Sequence, residues 1–162
     1  MSKILKTAGI LIAMAISSIA HADLVIIGNV NYDAGQLDGD SVKKLFLGKR
    51  QSFPNGQKAT PVNHAIGSPD RKEFFDSVLV MDESTHKRHW SRMRSTGKGT
   101  SPTELSSYED ILHWVAENPD GIAYVDSRAV NSSVKVLLTI EDFGDLSNTD
   151  VSEANLSENE NI

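Results

Sequence analysis

The sequence predicts an α/β fold in which helices flank a mixed or mainly parallel sheet. Short, continuous apolar runs at residues 24–27 and 122–125 are typical of strands that are buried on both faces. Between them lie longer segments whose apolar residues recur every three or four positions, as in amphipathic helices. Strands that alternate with helices form layered α/β domains.

Four strands are predicted. The first covers residues 24–27 and the second covers residues 59–64. Within the second, Pro61 indicates an edge position or a bulge, because proline cannot donate a hydrogen bond to a neighbouring strand. The third and fourth cover residues 122–125 and 134–140.

Four helices are predicted between these strands. A stripe of apolar residues at positions 42, 45 and 46 marks the first helix, which Gly48 ends. Ser68 as N-cap and Pro69 in the first turn start the second. The third lies near residues 84–95, and the fourth follows a capping box at residues 106–109 and ends at the Asn-Pro-Asp-Gly turn of residues 118–121. The residues predicted to face inward are Phe74, Phe75, Val78 and Leu79 in the second helix, Trp90 and Met93 in the third, and Tyr108, Ile111, Leu112 and Val115 in the fourth.

The two ends of the chain differ from its centre. Lys3 and Lys6 precede an apolar run, and Ala20-His21-Ala22 fits a secretory cleavage site. Residues 1–22 are therefore predicted to be a signal peptide that is cleaved after Ala22, which places the mature protein in the periplasm or outside the cell. Residues 23–140 form the predicted domain, and residues 141–162 are predicted to be a disordered acidic tail.

Composition and charge exclude several function classes. Seven of the 22 acidic residues lie after Ile140, where there is no Lys or Arg, and two of the 16 basic residues lie in the predicted signal peptide. The predicted domain is thus nearly neutral, which does not favour nucleic-acid binding. The chain has no cysteine, so disulfides and thiol chemistry are excluded. No segment after the signal peptide reaches the roughly 18 apolar residues of a membrane span. Since no catalytic motif is present either, neither an enzyme nor a cofactor is predicted.

The loop RSTGKGTSP at residues 94–102 is the first candidate binding site. Glycine lets backbone N–H groups approach a ligand closely, and a nearby cation suits an oxyanion. The same composition also suits a flexible hinge between two helices. The candidate ligand-binding residues in this loop are Ser95, Gly97, Lys98, Gly99 and Thr100.

Six short motifs follow one another in order along the chain: Leu45-Phe46-Leu47-Gly48-Lys49, Pro61-Val62-Asn63, Ser68-Pro69-Asp70-Arg71, Trp90-Ser91-Arg92, Thr96-Gly97-Lys98-Gly99-Thr100 and Asn118-Pro119-Asp120-Gly121. This ordered series resembles the substrate-binding proteins of phosphate ABC importers, and most of all their short, single-domain relatives. The resemblance implies one lobe of a type II periplasmic binding protein and, as ligand, phosphate or a similar small oxyanion such as sulfate.

Ser68 and Arg71 become candidates through this resemblance. Ser68 lies where full-length members of the family grip phosphate with a Ser-Gly-Thr turn at the start of a helix. In this sequence Pro69 removes a donor N–H and Asp70 adds a negative charge, which implies weak binding. Arg71 pairs either with an oxyanion or with a nearby carboxylate, Asp70 or Glu73.

Other polar residues have both a structural and a functional interpretation. Asn29 and Asn31 fall where the family's first binding loop would lie, or else they form a turn. His86 and His89 have a spacing that can share a metal, but the surrounding Lys and Arg side chains would repel a cation, so no metal site is predicted.

A basic cluster covers the third helix and the loop that follows it. It is interpreted as a solvated helix face, as a surface that the acidic tail covers, or as a site for an anionic ligand or an acidic partner protein. Its members are His86, Lys87, Arg88, His89, Arg92, Arg94 and Lys98.

We therefore expect an exported domain, similar to phosphate-binding proteins, that binds phosphate or sulfate weakly. The alternative is a non-enzymatic interaction module that has the same fold and has lost its ligand. Self-association fits either function.

Overall fold

The computed structural model describes residues 23–33 and 37–140. The predicted signal peptide and acidic tail lie outside the described residues. Within the described ranges, the order of elements is β1 (Leu24–Asn29), α1 (Gly39–Phe46), β2 (Thr60–His64), α2 (Pro69–Phe74), α3 (Glu83–Ser95), β3 (Thr103–Leu105), α4 (Tyr108–Glu117), β4 (Gly121–Asp126) and β5 (Val134–Thr139). A π-helical segment (Phe75–Leu79) extends α2, and a 3-10 turn (Ser127–Ala129) follows β4.

The strands form one mixed sheet in the order β3-β2-β4-β1-β5. β2 runs parallel to both β3 and β4, whereas β1 runs antiparallel to both β4 and β5. Helices α2 and α3 connect β2 to β3, and α4 connects β3 to β4, because parallel strands need a long crossover. The predicted α/β fold with a mixed, helix-flanked sheet is confirmed.

Helices cover both faces of this sheet. All six residues of β1 are buried, and successive side chains point to opposite faces. Ile26 packs in an apolar cluster with α1, α2 and the π-helical segment, and Ile27 packs in a second cluster with α4. Burial on both faces explains why the central strands are continuously apolar.

β2 as a whole is not an edge strand, because it has a neighbouring strand on each side, but at Pro61 only the side that faces β4 is paired. The N–H of Thr60 donates to the carbonyl of Asp120 on the β4 side, at 2.7 Å, so the nitrogen of Pro61 faces the other side. Pairing with β3 begins only at Val62. The missing N–H of Pro61 therefore interrupts no hydrogen bond to β3.

One helix start, that of α4, differs from the prediction, and one predicted cap, that of α2, lacks its hydrogen bond. The N-cap of α4 is Ser107, one residue later than predicted, and its Oγ accepts a hydrogen bond from the N–H of Asp110 at 3.0 Å. Tyr108 was expected to face inward but is 40% exposed, because it is the first residue of the helix. Ser68 occupies the N-cap position of α2, as predicted, but its side chain makes no capping hydrogen bond.

Candidate anion-binding cleft

The first half of the loop at residues 94–102, here called the glycine loop, forms the C-terminal end of α3. The backbone N–H groups of Thr96, Gly97 and Lys98 all donate to carbonyl groups in the last turn of that helix. Gly97 has φ +67°, a left-handed conformation that residues with a side chain rarely adopt. This half of the loop therefore fits the hinge interpretation.

The second half of the loop presents unused donors. Within the described part of the chain, the N–H groups of Gly99, Thr100 and Ser101 donate no hydrogen bond to the protein. The ammonium group of Lys98 likewise contacts no described carboxylate. Consecutive N–H groups beside an unpaired cation are an arrangement that binds oxyanions.

This part of the loop lines an open cleft of about 430 Å³ at the start of β2 and β3. The end of α1 and the segment before β2 form the opposite side of the cleft. The lining includes three cations and four hydroxyl groups but no carboxylate among the described residues. These seven residues are Arg50, Lys58, Lys98, Thr60, Thr100, Ser101 and Thr103.

Arg50 and Lys58 are positioned by the connection between α1 and β2. Gly48, at φ +66°, allows the chain to turn sharply after α1, and the N–H of Arg50 then donates to the carbonyl of Lys44 at 3.2 Å. An antiparallel bridge between Ser52 and Lys58 folds the following segment back on itself. Both cations are thereby placed near the first residues of β2.

One carboxylate lies beside the cleft. Asp120 Oδ2 accepts a hydrogen bond from Thr60 Oγ1 at 2.7 Å and lies 3.0 Å from Lys58 Nζ. The hydrogen bond from Thr60 is the main reason why the pKa of Asp120 is lower than its ordinary value. Because Asp120 partly neutralises Lys58, Arg50 and Lys98 supply most of the unpaired positive charge in the cleft.

Arg71 is the centre of an internal ion-pair network. Its side chain is 2% exposed, and its guanidinium donates to both carboxylate oxygens of Glu83, at 2.5 and 3.0 Å. It also donates to Glu104 Oε1 at 2.7 Å and to the carbonyl of His64 at 2.6 Å. Burial by itself lowers the pKa of Arg71, but the two glutamates outweigh burial and raise it. The structure thus supports the ion-pair interpretation of Arg71, but the predicted partners Asp70 and Glu73 are wrong, because the guanidinium reaches Glu83 and Glu104 instead.

Ser68 lies at the opposite end of the sheet from the cleft. It follows the end of β2, whereas Lys98, Gly99 and Thr100 precede the start of β3, and the two strands are parallel. The carboxylate of Asp70, two residues after Ser68, accepts hydrogen bonds from the Tyr108 hydroxyl and the Asp126 N–H, both at 3.0 Å.

The structure therefore brings only part of the predicted site together. Lys98, Gly99 and Thr100 share the cleft, while Ser95 and Gly97 belong to the same loop but do not line it. Neither Ser68 nor Arg71 lines it either.

Asn29 and Asn31 form a turn at the end of β1. The N–H of Asn31 donates to Asn29 Oδ1 at 3.0 Å, as in an Asx turn. The carboxamide nitrogen of Asn29 donates to the carbonyl of Ala116 at 2.8 Å, near the end of α4. These contacts support the turn interpretation of both residues.

The histidines of α3 also make internal contacts. His86 is buried and its Nε2 accepts a hydrogen bond from Trp90 Nε1 at 3.0 Å, while His89 Nε2 lies 2.8 Å from the carbonyl of Leu47. Across residues 23–33 and 37–140 there is no cluster of three His, Cys, Asp or Glu side chains that could hold a metal ion.

In the same residues no helix is long and apolar enough to cross a membrane.

The sequence analysis does not predict Arg50, Lys58, Thr60 and Ser101 as residues of the cleft. They become neighbours because β2 and β3 are parallel, so the segments that precede both strands meet at one end of the sheet. The three residues of β3 lack an apolar run, and no other pattern in the sequence indicates this pairing.

The fold is similar to those of several solved structures. An ABC-type phosphate transport receptor from Vibrio cholerae matches 71% of this chain with 45% of its own length (TM-score 0.56, 15% identity). A putative phosphate ABC transporter substrate-binding protein with bound phosphate, from Clostridium perfringens, matches 71% with 44% of its length (TM-score 0.57, 16% identity). PstS from Borrelia burgdorferi matches 71% with 46% of its length (TM-score 0.53, 11% identity).

These similarities establish the fold, which matches one lobe of phosphate-binding protein structures. The chain spans less than half the length of each of the three proteins. No protein-family model matches the sequence, and no curated protein sequence matches it either.

Proposed function

We propose that this domain binds a small oxyanion, phosphate or sulfate, in the cleft before β2 and β3. One observation carries the proposal: Lys98, Gly99, Thr100 and Ser101 line a cleft whose described lining also contains Arg50 and no carboxylate, and the N–H groups of residues 99–101 donate to no described residue. Charge-assisted hydrogen bonds from ammonium, guanidinium and backbone donors are the usual means of holding such anions. The bound phosphate named for the Clostridium perfringens protein, which has the same fold, is consistent with this ligand class.

The geometry favours weak binding. The cleft is open to solvent, and the side chain of Lys58 is 77% exposed and already paired with Asp120. Exposed charges interact weakly with an anion because water and salt screen them. Affinity should therefore fall steeply as ionic strength rises.

Replacement of Lys98 by Ala tests the proposal. Lys98→Ala removes the one cation of the cleft that has no partner, and we expect the free energy of phosphate binding to weaken by about 1 to 3 kcal/mol. The free energy of unfolding should not change, because the Lys98 side chain is exposed. Lys72→Ala is the matched control, since Lys72 is an exposed lysine outside the cleft whose only described partner is Asp76. Isothermal titration calorimetry at low ionic strength measures both variants.

Two results would contradict the proposal. One is the absence of any saturable heat with millimolar phosphate or sulfate. The other is an equal loss of affinity in Lys98→Ala and Lys72→Ala, which would place the anion elsewhere.

A second candidate function is a non-enzymatic interaction module with this fold. It is favoured by two large apolar side chains that lie exposed near α2, Ile66 at 70% and Val80 at 71%. Val80 also has φ +54°, a conformation that is unfavourable for a β-branched residue. Self-association in analytical ultracentrifugation, together with no response to phosphate or sulfate, would favour this function over anion binding.

We also propose that the protein is exported, on the basis of residues 1–22 alone. The secreted protein should then begin at Asp23, which intact mass spectrometry measures. Exported material that still begins at Met1 would contradict cleavage after Ala22.

A further inference from the structure

We propose that the cleft holds a phosphate monoester with a ring-sized apolar body better than it holds free phosphate. The inference rests on the proposed oxyanion function and specifies the class of ligand. It is carried by the volume of the cleft and by the apolar residues in its lining.

The cleft is larger than a free oxyanion. Phosphate has five heavy atoms, which fill about 150 Å³ even if each takes the roughly 30 Å³ of a water molecule in the liquid. The cleft measures about 430 Å³, within the range of roughly 300–1,000 Å³ that suits larger organic ligands. Free phosphate would therefore leave most of the cleft filled with water.

The described lining also includes an apolar wall of five residues. Pro61 and Pro102 are half-buried and have no N–H to offer a ligand. Leu45, Ala59 and Trp90 support them and are already nearly fully buried. An apolar body attached to the anion would cover mainly the two prolines and exclude water from them, which is favourable in proportion to the apolar area removed from water.

This wall is held in place before any ligand binds. Trp90 donates a hydrogen bond to His86 at 3.0 Å. Its ring packs so closely against Gly48 that a Cβ atom there would lie 2.7 Å from Trp90 Cη2. A preformed wall loses little entropy when a ligand contacts it, so the contact adds to affinity.

The charges of the lining specify the chemical class. With Arg50, Lys58 and Lys98 and no carboxylate in the described lining, the cleft suits a dianionic head group. The nearby carboxylate of Asp120 is already paired with Lys58 and Thr60, so a cationic body is not favoured. A phosphate monoester has this head group and an organic body on its fourth oxygen. The donors at the loop can bind the three remaining oxygens, while the body lies against the prolines.

Calorimetry on the full chain at low ionic strength tests this inference with three probes: inorganic phosphate, phenyl phosphate and phenol. We expect phenyl phosphate to bind about tenfold more tightly than phosphate, since burial of about 60 Å² of apolar surface corresponds to that factor. Phenol should not bind measurably. Lys98→Ala should weaken phosphate and phenyl phosphate by a similar factor, because it removes a contact to the shared head group, and Lys72→Ala should weaken neither.

A variant of the wall tests the contribution of the apolar body. Pro102→Ser should reduce the ratio of the affinity for phenyl phosphate to the affinity for phosphate, with thermal unfolding as the check that the variant is folded. If phosphate and phenyl phosphate bind equally, or if Pro102→Ser leaves this ratio unchanged, the inference is wrong and the proposed function stands. If neither probe binds, both are wrong.

Discussion

Gly48 and Gly97 have almost the same backbone conformation and very different surroundings. Their φ angles are +66° and +67°, but a Cβ atom at Gly48 would lie 2.7 Å from the Trp90 ring, whereas a Cβ atom at Gly97 would meet nothing within 4 Å. Gly97→Ala should therefore cost only the left-handed backbone penalty, about 1 kcal/mol. Gly48→Ala should cost roughly 1 to 3 kcal/mol more, because the core must shift. Urea unfolding of both variants measures the difference. Equal losses would show that Trp90 does not pack against the end of α1.

Arg71 is the residue whose replacement should be most damaging. Arg71→Met replaces the guanidinium group by a neutral side chain of similar length. Glu83 and Glu104 are then left without their shared partner. Loss of one partner of a buried ion pair costs about 3 to 5 kcal/mol. Because the two glutamates are 44% and 39% exposed, we expect about 2 to 4 kcal/mol in the free energy of unfolding.

Glu104→Gln is the matched control for Arg71→Met. It retains a hydrogen-bond acceptor, and Arg71 keeps both contacts to Glu83, so its cost should be clearly smaller. Urea unfolding would contradict the central role of Arg71 if Arg71→Met lost no more stability than Glu104→Gln.

Among the elements, the helix starts allow a direct comparison of two serines. Ser107 caps α4 through the N–H of Asp110, whereas Ser68 occupies the same position of α2 and makes no capping hydrogen bond. Ser107→Ala should therefore cost about 1 kcal/mol, and Ser68→Ala only a few tenths. Ser106→Ala is a control for the position of the cap and should be neutral. Thermal and urea unfolding measure all three variants. If Ser106→Ala lost more stability than Ser107→Ala, this would support the capping box at residues 106–109 that the sequence predicts.

The elements with local signals are the ones that the sequence analysis predicts. The α4 helix has a cap, an apolar period and a stop signal within one short segment, and β1 has a continuous apolar run. In contrast, β3 is three residues long with two exposed side chains, so its strand character comes from pairing with β2. Burial and pairing of this kind depend on the tertiary fold, which a local pattern does not contain.

The same distinction applies to the candidate site. The donors of residues 98–100 are apparent in the sequence, because glycine and lysine alternate there. Arg50 and Lys58 join them only through the parallel pairing of β2 with β3. The partners of Arg71 could not be predicted either, because Glu83 and Glu104 lie 12 and 33 residues away along the chain.

For the molecule as a whole, two buried histidines should set the pH dependence of stability. His64 and His86 are each 4% exposed. Burial lowers the pKa of both below the ordinary value of 6.5. The Tyr124 carbonyl and Asp70 partly oppose this effect at His64, whereas Arg71 adds to it at His86. Both side chains are therefore expected to be neutral in the folded protein at neutral pH.

The sign of the effect follows from proton linkage. Between the lowered pKa of the folded state and 6.5, the unfolded chain binds more protons than the folded chain, so stability falls as pH decreases through this window. Each histidine can contribute at most about 1.4 kcal/mol per pH unit. The helix-capping carboxylates Asp38 and Asp82 have a lowered pKa as well, chiefly because of the hydrogen bonds that they accept. They lose their stabilising effect only below about pH 4, so they do not interfere with the histidines.

Urea unfolding between about pH 7.5 and 5 should show this dependence. The free energy of unfolding of the wild type should be constant above about pH 7 and should decrease below about 6.5. His64→Gln and His86→Gln replace a titrating group by a neutral one that can still form hydrogen bonds, so each should reduce the slope, and the double variant should be nearly flat. If the wild type is flat over this range, or if the double variant keeps the full slope, the two histidines are not the groups responsible.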